Sequence, residues 1–229
     1  MIALPAGLTL ADIAAVALHV AACSVMGWLI EHPPRRYPSV SAGMRAYRVA
    51  WMEQLATREG RVFDSSILTV LHQSAAFFIS ACMIAIGGGL ALLGQADTAV
   101  RAAEGTPLAS ISILAWRIKI VLALVLVVNA FLKFVWAHRL YAYCAIIMAS
   151  IPMDPDNPHS HPRALKAAEV NTNAARNYNA GLRTVYFAIS SLAWIAGPTA
   201  LTAATVVVVY STWRREFASA SRIAILADD

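Results

Sequence analysis

Charge is scarce in this chain. Only 14% of its 229 residues are Asp, Glu, Lys or Arg, while 59% are hydrophobic. With a mean hydropathy of +0.61, that deficit excludes a soluble domain and makes lipid the solvent for most of the surface. Cysteine is equally thin. Cys23, Cys82 and Cys144 lie in apolar stretches without CxxC spacing, so they read as packing residues and not as a disulfide or zinc framework. The alternating pattern of a membrane β-barrel is missing, which leaves helices as the only spanning structure. No nucleophile, base and orienter stand at usable spacing, so the chain reads as non-enzymatic and implies no cofactor. The formal charge of +5 and pI near 9.4 do not imply nucleic acid, because the basic residues flank hydrophobic spans and no aromatic-basic module accompanies them.

Four stretches are long enough to cross a hydrocarbon core of about 30 Å, which takes roughly 20 helical residues. They are 10–30, 67–94, 111–143 and 185–213. The expected fold is an all-α integral membrane protein: one membrane domain over 1–229, four transmembrane helices in a bundle, and amphipathic cytoplasmic helices in the loops 31–66 and 144–184. The first span opens on Thr9 and Asp12 at capping-box spacing and stops at Pro33 and Pro34. That makes Asp12 a cap at the water boundary before it is a proton carrier. The segment ending at Cys23 has the look of a lipoprotein cleavage box, but no positive charge precedes it and the apolar run continues, so the span is expected to stay uncleaved. Gly197-Pro198 should kink the fourth span.

Lysine and arginine bias sets orientation. Eleven such residues fall on the side of the first and third loops against six on the other, which predicts a bacterial inner-membrane protein with both loops cytoplasmic and both termini periplasmic. Arg214 and Arg215 argue against the position given to the C-terminus.

Lys133 is the unusual charge, only six residues before Arg139. If Lys119 and Arg139 mark the two interfaces, Lys133 lies about 9 Å below the cytoplasmic boundary. A lysine at mid-membrane costs roughly 2.5–3.5 kcal/mol, and each Leu, Ile, Val or Phe returns about 0.3–0.6, so the run 120–128 offsets it. Near the boundary its stem can snorkel. Asn129, Lys133, Trp136, Leu140 and Tyr143 also recur at helical spacing as a polar intramembrane stripe, of the kind that faces a bundle interior. Both readings stand: a lone snorkelling lysine, or one paired with Asp64 or Glu169.

The first loop carries Met44, Tyr47, Trp51 and Leu55 on one side of an interfacial helix, a surface suited to membrane lipid, including anionic lipid. In the third loop a proline-rich segment holds Asp154, Asp156, His159 and His161, whose spacing matches no zinc pattern and reads as exposed loop. An alanine-rich helix over 163–182 follows, with Glu169, Asn173, Arg176 and Arg183 on one face. Together with Arg48, Arg61, Asp64 and Arg139 these form an expected cytoplasmic charged cluster. Ion pairing is its first use, and holding a small anion the alternative.

Helix association in lipid depends on small residues. Ala15, His19, Cys23 and Gly27, then Ala81, Ala85 and Gly89, then Ala196, Ala200 and Ala204 form such ridges. His72 and His138 fall at similar depth and are weak haem candidates, since two facing histidines in a bundle can ligate a haem; His19 has no histidine at its level.

Several phrases, taken in order, carry a family likeness: 44–52, 58–64, 77–80 with 87–94, 131–136 with Arg139, and 179–187. Over about 10–209 the chain resembles domain-of-unknown-function family 599, membrane proteins of bacteria and plants. The resemblance implies no activity and no catalytic residues. It draws attention to Arg48, Arg61, Asp64, Lys133, Arg139 and Arg183 as the charged members of those phrases. The expected function is that of a scaffold or accessory subunit binding another membrane protein or a second copy. Small-solute or anion transport by an oligomer is the alternative, and a b-type haem protein stands behind both.

Overall fold

The computed structural model describes residues 7–58, 60–102 and 112–227, and every regular element among them is helical. In order these are α1 (Leu10–Glu31), α2 (Val40–Thr57), α3 (Val62–Gly94), α4 (Ala96–Ala102), α5 (Ile113–Ala149), α6 (Ser160–Ser191), a 3-10 turn (Leu192–Ala196), α7 (Pro198–Phe217) and α8 (Ala220–Leu226). Three of them, α1, α3 and α5, are long and apolar enough to cross a membrane. They match the first three expected spans, with two changes at the ends. α3 begins five residues earlier than expected, which brings Asp64 into its first turn, and α5 runs six residues past Tyr143. The expected start of the third span, Ile111, lies outside the described residues.

The fourth expected span, 185–213, is not one rod. α6 absorbs both the expected amphipathic helix and the beginning of that span, because 163–191 contains no proline and Gly181 sits where the α6 backbone closes on Phe134. The helix then tightens into the 3-10 turn and ends at Gly197, whose φ of +119° is open to glycine and strained for any other residue. Pro198 follows as the first residue of α7, the helix position at which its missing N–H and fixed φ do no harm. Sequence reasoning foresaw a kink here; the observed feature is a full reversal.

Packing divides the chain into two compact units. One gathers the described residues of Met1–Trp28, Ala81–Ala130 and Leu182–Trp213. Its core is Ala15, Trp194 and Leu201, with Leu8, Val16, Ile118 and Leu122 against it. The reversal is visible here: Phe187 of α6 and Thr205 of α7 both meet His19, while Trp194 in the turn between them meets Asp12. α6 therefore runs antiparallel to α1, and α7 runs back alongside it.

The other unit gathers the described residues of Leu29–Ser80, Phe131–Gly181 and Arg214–Asp229. α3 and α5 are antiparallel in it, with His72 beside His138 and Phe78 stacked on Phe134 at 5.0 Å. Tyr178 of α6 packs edge-on against both phenylalanines. α2 is capped by Ser39, whose hydroxyl oxygen accepts from Ala42 N at 3.1 Å while its O–H donates to Ile30 O at 2.9 Å. Met52 and Leu55 are its buried residues and Trp51 is half-buried, whereas Tyr47, expected on the same face, is exposed. The C-terminal tail returns to α2. Ser41 donates to Glu216 through N and Oγ at 3.1 and 3.0 Å, Arg222 Nε donates to Pro38 O at 2.9 Å, and Gly43 lies under Ile225 and Leu226.

The small-residue ridges are used unequally. Ala15 and His19 are buried, and Cys23 and Gly27 half-buried, as the α1 ridge requires. On α3 only Gly89 makes a close approach, to Leu124, while Ala81 and Ala85 are exposed. Ala200 and Ala204 are half-buried in α7, and Ala196 is exposed in the turn.

Candidate functional site

Two polar constellations stand out, one in each unit. The first is a buried column along α1. Asp12 is 4% exposed; its Oδ2 accepts from Thr9 N at 2.9 Å and Thr9 Oγ1 at 2.7 Å, and Asp12 N donates back to Thr9 Oγ1 at 3.3 Å. This is the capping box expected from sequence. Its other oxygen accepts from Trp194 Nε1 at 2.7 Å, and Lys119 Nζ lies 5.7 Å from the centre of the Trp194 ring. Two turns along, His19 is fully buried between Thr205 Oγ1 at 2.7 Å and Phe187 O at 3.1 Å. Thr205 Oγ1 also donates to Leu201 O at 2.7 Å, so its hydroxyl links the imidazole to the α7 backbone. His19 thus has a threonine and a backbone carbonyl for partners.

The second constellation surrounds a cavity of about 640 Å³ between the first third of α3 and the last third of α5. Leu68, Tyr141 and Met148 form its buried wall, and Ser65, Thr69, Ala145 and Ile146 stand at its exposed edge. Although serine and threonine line it, both hydroxyls bond back to their own helix: Ser65 Oγ to Val62 O and Thr69 Oγ1 to Ser65 O, each at 2.8 Å. What remains is an apolar groove.

Arg61 forms one end of the groove. Its Nη1 donates to Met148 O at 3.1 Å and Ile151 O at 2.7 Å, and its Nη2 to Pro152 O at 3.1 Å. These are carbonyls at and just beyond the C-terminus of α5, where a cation opposes the negative end of the helix dipole. Arg163 adds a bond to Ser150 O at the same helix end. Arg61 Nε is buried with no acceptor. Three residues on, Asp64 is fully buried, and its Oδ1 accepts from Trp51 Nε1 at 2.7 Å and Arg58 Nη1 at 2.8 Å while Oδ2 has no partner. Arg48 Nη1 donates to Asn171 Oδ1 at 2.8 Å, and burial pushes its guanidinium below the ordinary value. Among the described residues neither Arg48 nor Arg61 meets a carboxylate.

The expected charged cluster is therefore divided. Arg48, Arg61 and Asp64 belong to this unit's interior, but Glu169 and Arg176 are exposed and enter none of the ion pairs among the described residues. Arg139 is exposed and donates to Tyr143 Oη, one turn along its own helix, at 2.7 Å. Arg183 is buried, so it does not share the solvent face expected for Glu169 and Arg176. The ion-pair partner of the fully buried Asp64 is the exposed Arg58, and Gly60, at φ +84°, makes the turn between them.

The intramembrane stripe does not face a bundle interior. Asn129, Trp136 and Tyr143 are exposed, and Lys133 is half-buried beside them, because the buried side of α5 is Ala130, Phe134, Ala137, Tyr141 and Cys144. Asp64 is not placed to pair with Lys133: the register that sets His72 beside His138 and Phe78 on Phe134 puts Asp64 near residue 147, about 20 Å of helix rise away. His72 and His138 do come together, with ring centroids 3.7 Å apart and planes inclined at 33°. The two rings lie tilted against each other in direct contact, whereas axial ligation of a haem needs two nitrogens pointing at each other across an iron. The proline-rich loop is held by turns: Asp154 Oδ1 accepts from Asp156 N, and Asn157 Oδ1 from His159 N, each at 3.0 Å. Among the described residues no group of three or more His, Cys, Asp or Glu is placed to hold a metal ion.

Trp194, Thr205 and Tyr141 were not singled out from sequence. The glycine-proline break could have pointed to the first two, since a chain that reverses at Gly197 brings them onto α1.

Among the described residues the regular structure is all helical and three helices are of crossing length, which is consistent with a membrane protein. The chain belongs to the family described as a protein of unknown function, DUF599, whose model matches residues 14–221. No curated protein and no solved structure matches it.

Proposed function

We propose that this is a non-enzymatic protein of the bacterial inner membrane, a scaffold or accessory subunit that binds another membrane protein, or a second copy of itself, through α3. It crosses the bilayer five times, with α6 and α7 as the two arms of a final hairpin. The N-terminus lies outside, and α2, the α5–α6 connection and the C-terminal tail lie inside. The positive-inside bias supports this arrangement, because Arg214, Arg215 and Arg222 move to the inner side and only Arg101, Arg117 and Lys119 remain outside.

The observation that carries the binding role is the exposure of α3. Only 6% of its most apolar window is buried, against 22% in α1 and 28% in α5. Ala81 and Ala85 on that helix are exposed, and a Cβ built on Gly87 or Gly88 meets nothing within 4 Å. Small exposed residues allow another helix to approach closely, which is how association is driven where lipid offers no hydrophobic gain. A photo-crosslinking residue at Ala85 should give a discrete protein adduct in native membranes, and one at the exposed Val125 of α5 should give lipid adducts only. A purified protein that emerges alone from mild detergent, with no protein adduct at Ala85, contradicts the reading.

Transport by an oligomer remains the second reading because the stripe of Asn129, Trp136 and Tyr143 is exposed and so available to line a path between copies. It requires solute flux that falls on Lys133→Met substitution in reconstituted vesicles.

A further inference from the structure

The groove headed by Arg61 has dimensions and chemistry that the lateral-association reading does not use. Its volume of about 640 Å³ falls in the range, roughly 300–1,000 Å³, of sites that hold one small molecule. From Arg61 to His72 it follows α3 for eleven residues, about 16 Å of rise, close to half of a ~30 Å hydrocarbon core and so the depth of a single leaflet. Along that length its serine and threonine hydroxyls are already bonded to backbone, so at that edge water would find few partners and an alkyl chain would displace it at little cost.

The polar end favours one sign of charge. Arg61 brings a guanidinium whose only acceptors are backbone carbonyls and whose buried Nε–H is unmet. Asp64 does not neutralise it, since that carboxylate is already charge-paired with Arg58 at 2.8 Å. An uncompensated cation at the head of an apolar groove one leaflet deep is complementary to an anion that carries a hydrocarbon chain.

We propose that this groove seats one anionic phospholipid of the inner leaflet, its phosphate drawn to Arg61 and one acyl chain laid along Leu68, Ala142, Ala145 and Ile146. The site rests on the membrane placement proposed above, but it uses none of the α3 residues assigned to lateral binding. The two proposals therefore fail separately.

The test uses the full chain, purified in mild detergent, stripped of lipid and offered phosphatidylglycerol or phosphatidylcholine with identical acyl chains, with native mass spectrometry counting what is retained. Wild type should retain one phosphatidylglycerol, preferred over phosphatidylcholine by at least about fivefold, the factor expected from a single arginine at a headgroup. Ala145→Trp fills the exposed edge of the groove and touches no cap or ion pair, so it should abolish retention of both lipids with the circular dichroism spectrum unchanged. Arg61→Gln, if folded, should remove the preference and leave weak binding of either lipid. Equal retention of the two lipids by wild type overturns the proposal. So does undiminished phosphatidylglycerol on Ala145→Trp, or a stripped protein that takes up only a free fatty acid or a second copy of the chain.

Discussion

The buried nitrogens of His19 both meet fixed protein partners, although Trp116 Nε1 in the same unit meets none, whereas beside the groove two buried atoms, Arg61 Nε and Asp64 Oδ2, are unmet together. The first region is cross-linked by hydrogen bonds between residues more than 160 positions apart, and its small core ties α1 to both arms of the hairpin. The second is a larger core in which arginines cap a helix end and an apolar groove stays open. An unmet buried polar atom costs free energy, so where such atoms persist beside a cavity, that region is the place to look for a ligand, and the satisfied region is the place to look for structure.

Substitutions should separate the two regions by the size of their effect on thermal unfolding in detergent. The largest loss is expected from Trp194→Ala, about 3–5 kcal/mol, because it empties the centre of the hairpin core and strips Asp12 of a donor. Arg61→Ala should cost less, about 1–3 kcal/mol, since the three carbonyls it leaves lie at a helix end within reach of water. If Arg61→Ala proves the more damaging, the division between a structural and a ligand-binding region is wrong.

Glycine substitutions sharpen the contrast further. Gly181→Ala would push a methyl to within 2.7 Å of the Phe134 ring, so it should destabilise by about 1–2 kcal/mol despite the better helix propensity. Gly87→Ala meets nothing and should stabilise by about 0.5–1 kcal/mol. A loss at Gly87 in membranes but not in detergent would reveal a neighbour packed on α3. The smallest effect is expected at Ser41→Ala, about 0.5 kcal/mol, seen as faster hydrogen exchange in α8 and not as a change in melting.

The first three spans were legible because each is a continuous apolar run whose length alone identifies it. The hairpin was not, because 185–213 has the same length and apolarity as a single rod, and the turn shows only in the backbone angle at Gly197 and in the long-range bonds of Phe187, Trp194 and Thr205 to α1. Arg214 and Arg215 were the warning, since they disagreed with a single crossing. The cap at Asp12 was readable from local spacing, while its bond to Trp194 spans 182 positions and no local pattern encodes it. Arg61 and Asp64 were picked out as charged members of family phrases, but their work depends on the C-terminal end of α5 reaching Arg61 and on Arg58 turning back through Gly60. The stripe at Asn129 was misassigned because helical spacing groups residues on a face without saying which face is inward.

The reversal at Gly197 is the feature on which the arrangement depends, and impermeant thiol labelling of intact cells tests it directly. In a background with the native cysteines replaced, single cysteines at Tyr37, Gln95 and Ser221, all exposed positions, report the ends of α1, α3 and the C-terminal tail. The account predicts labelling at Gln95→Cys and protection at both Tyr37→Cys and Ser221→Cys until the cells are opened. Labelling of Ser221→Cys together with Gln95→Cys, with Tyr37→Cys still protected, would mean that the last apolar segment crosses only once and would contradict it.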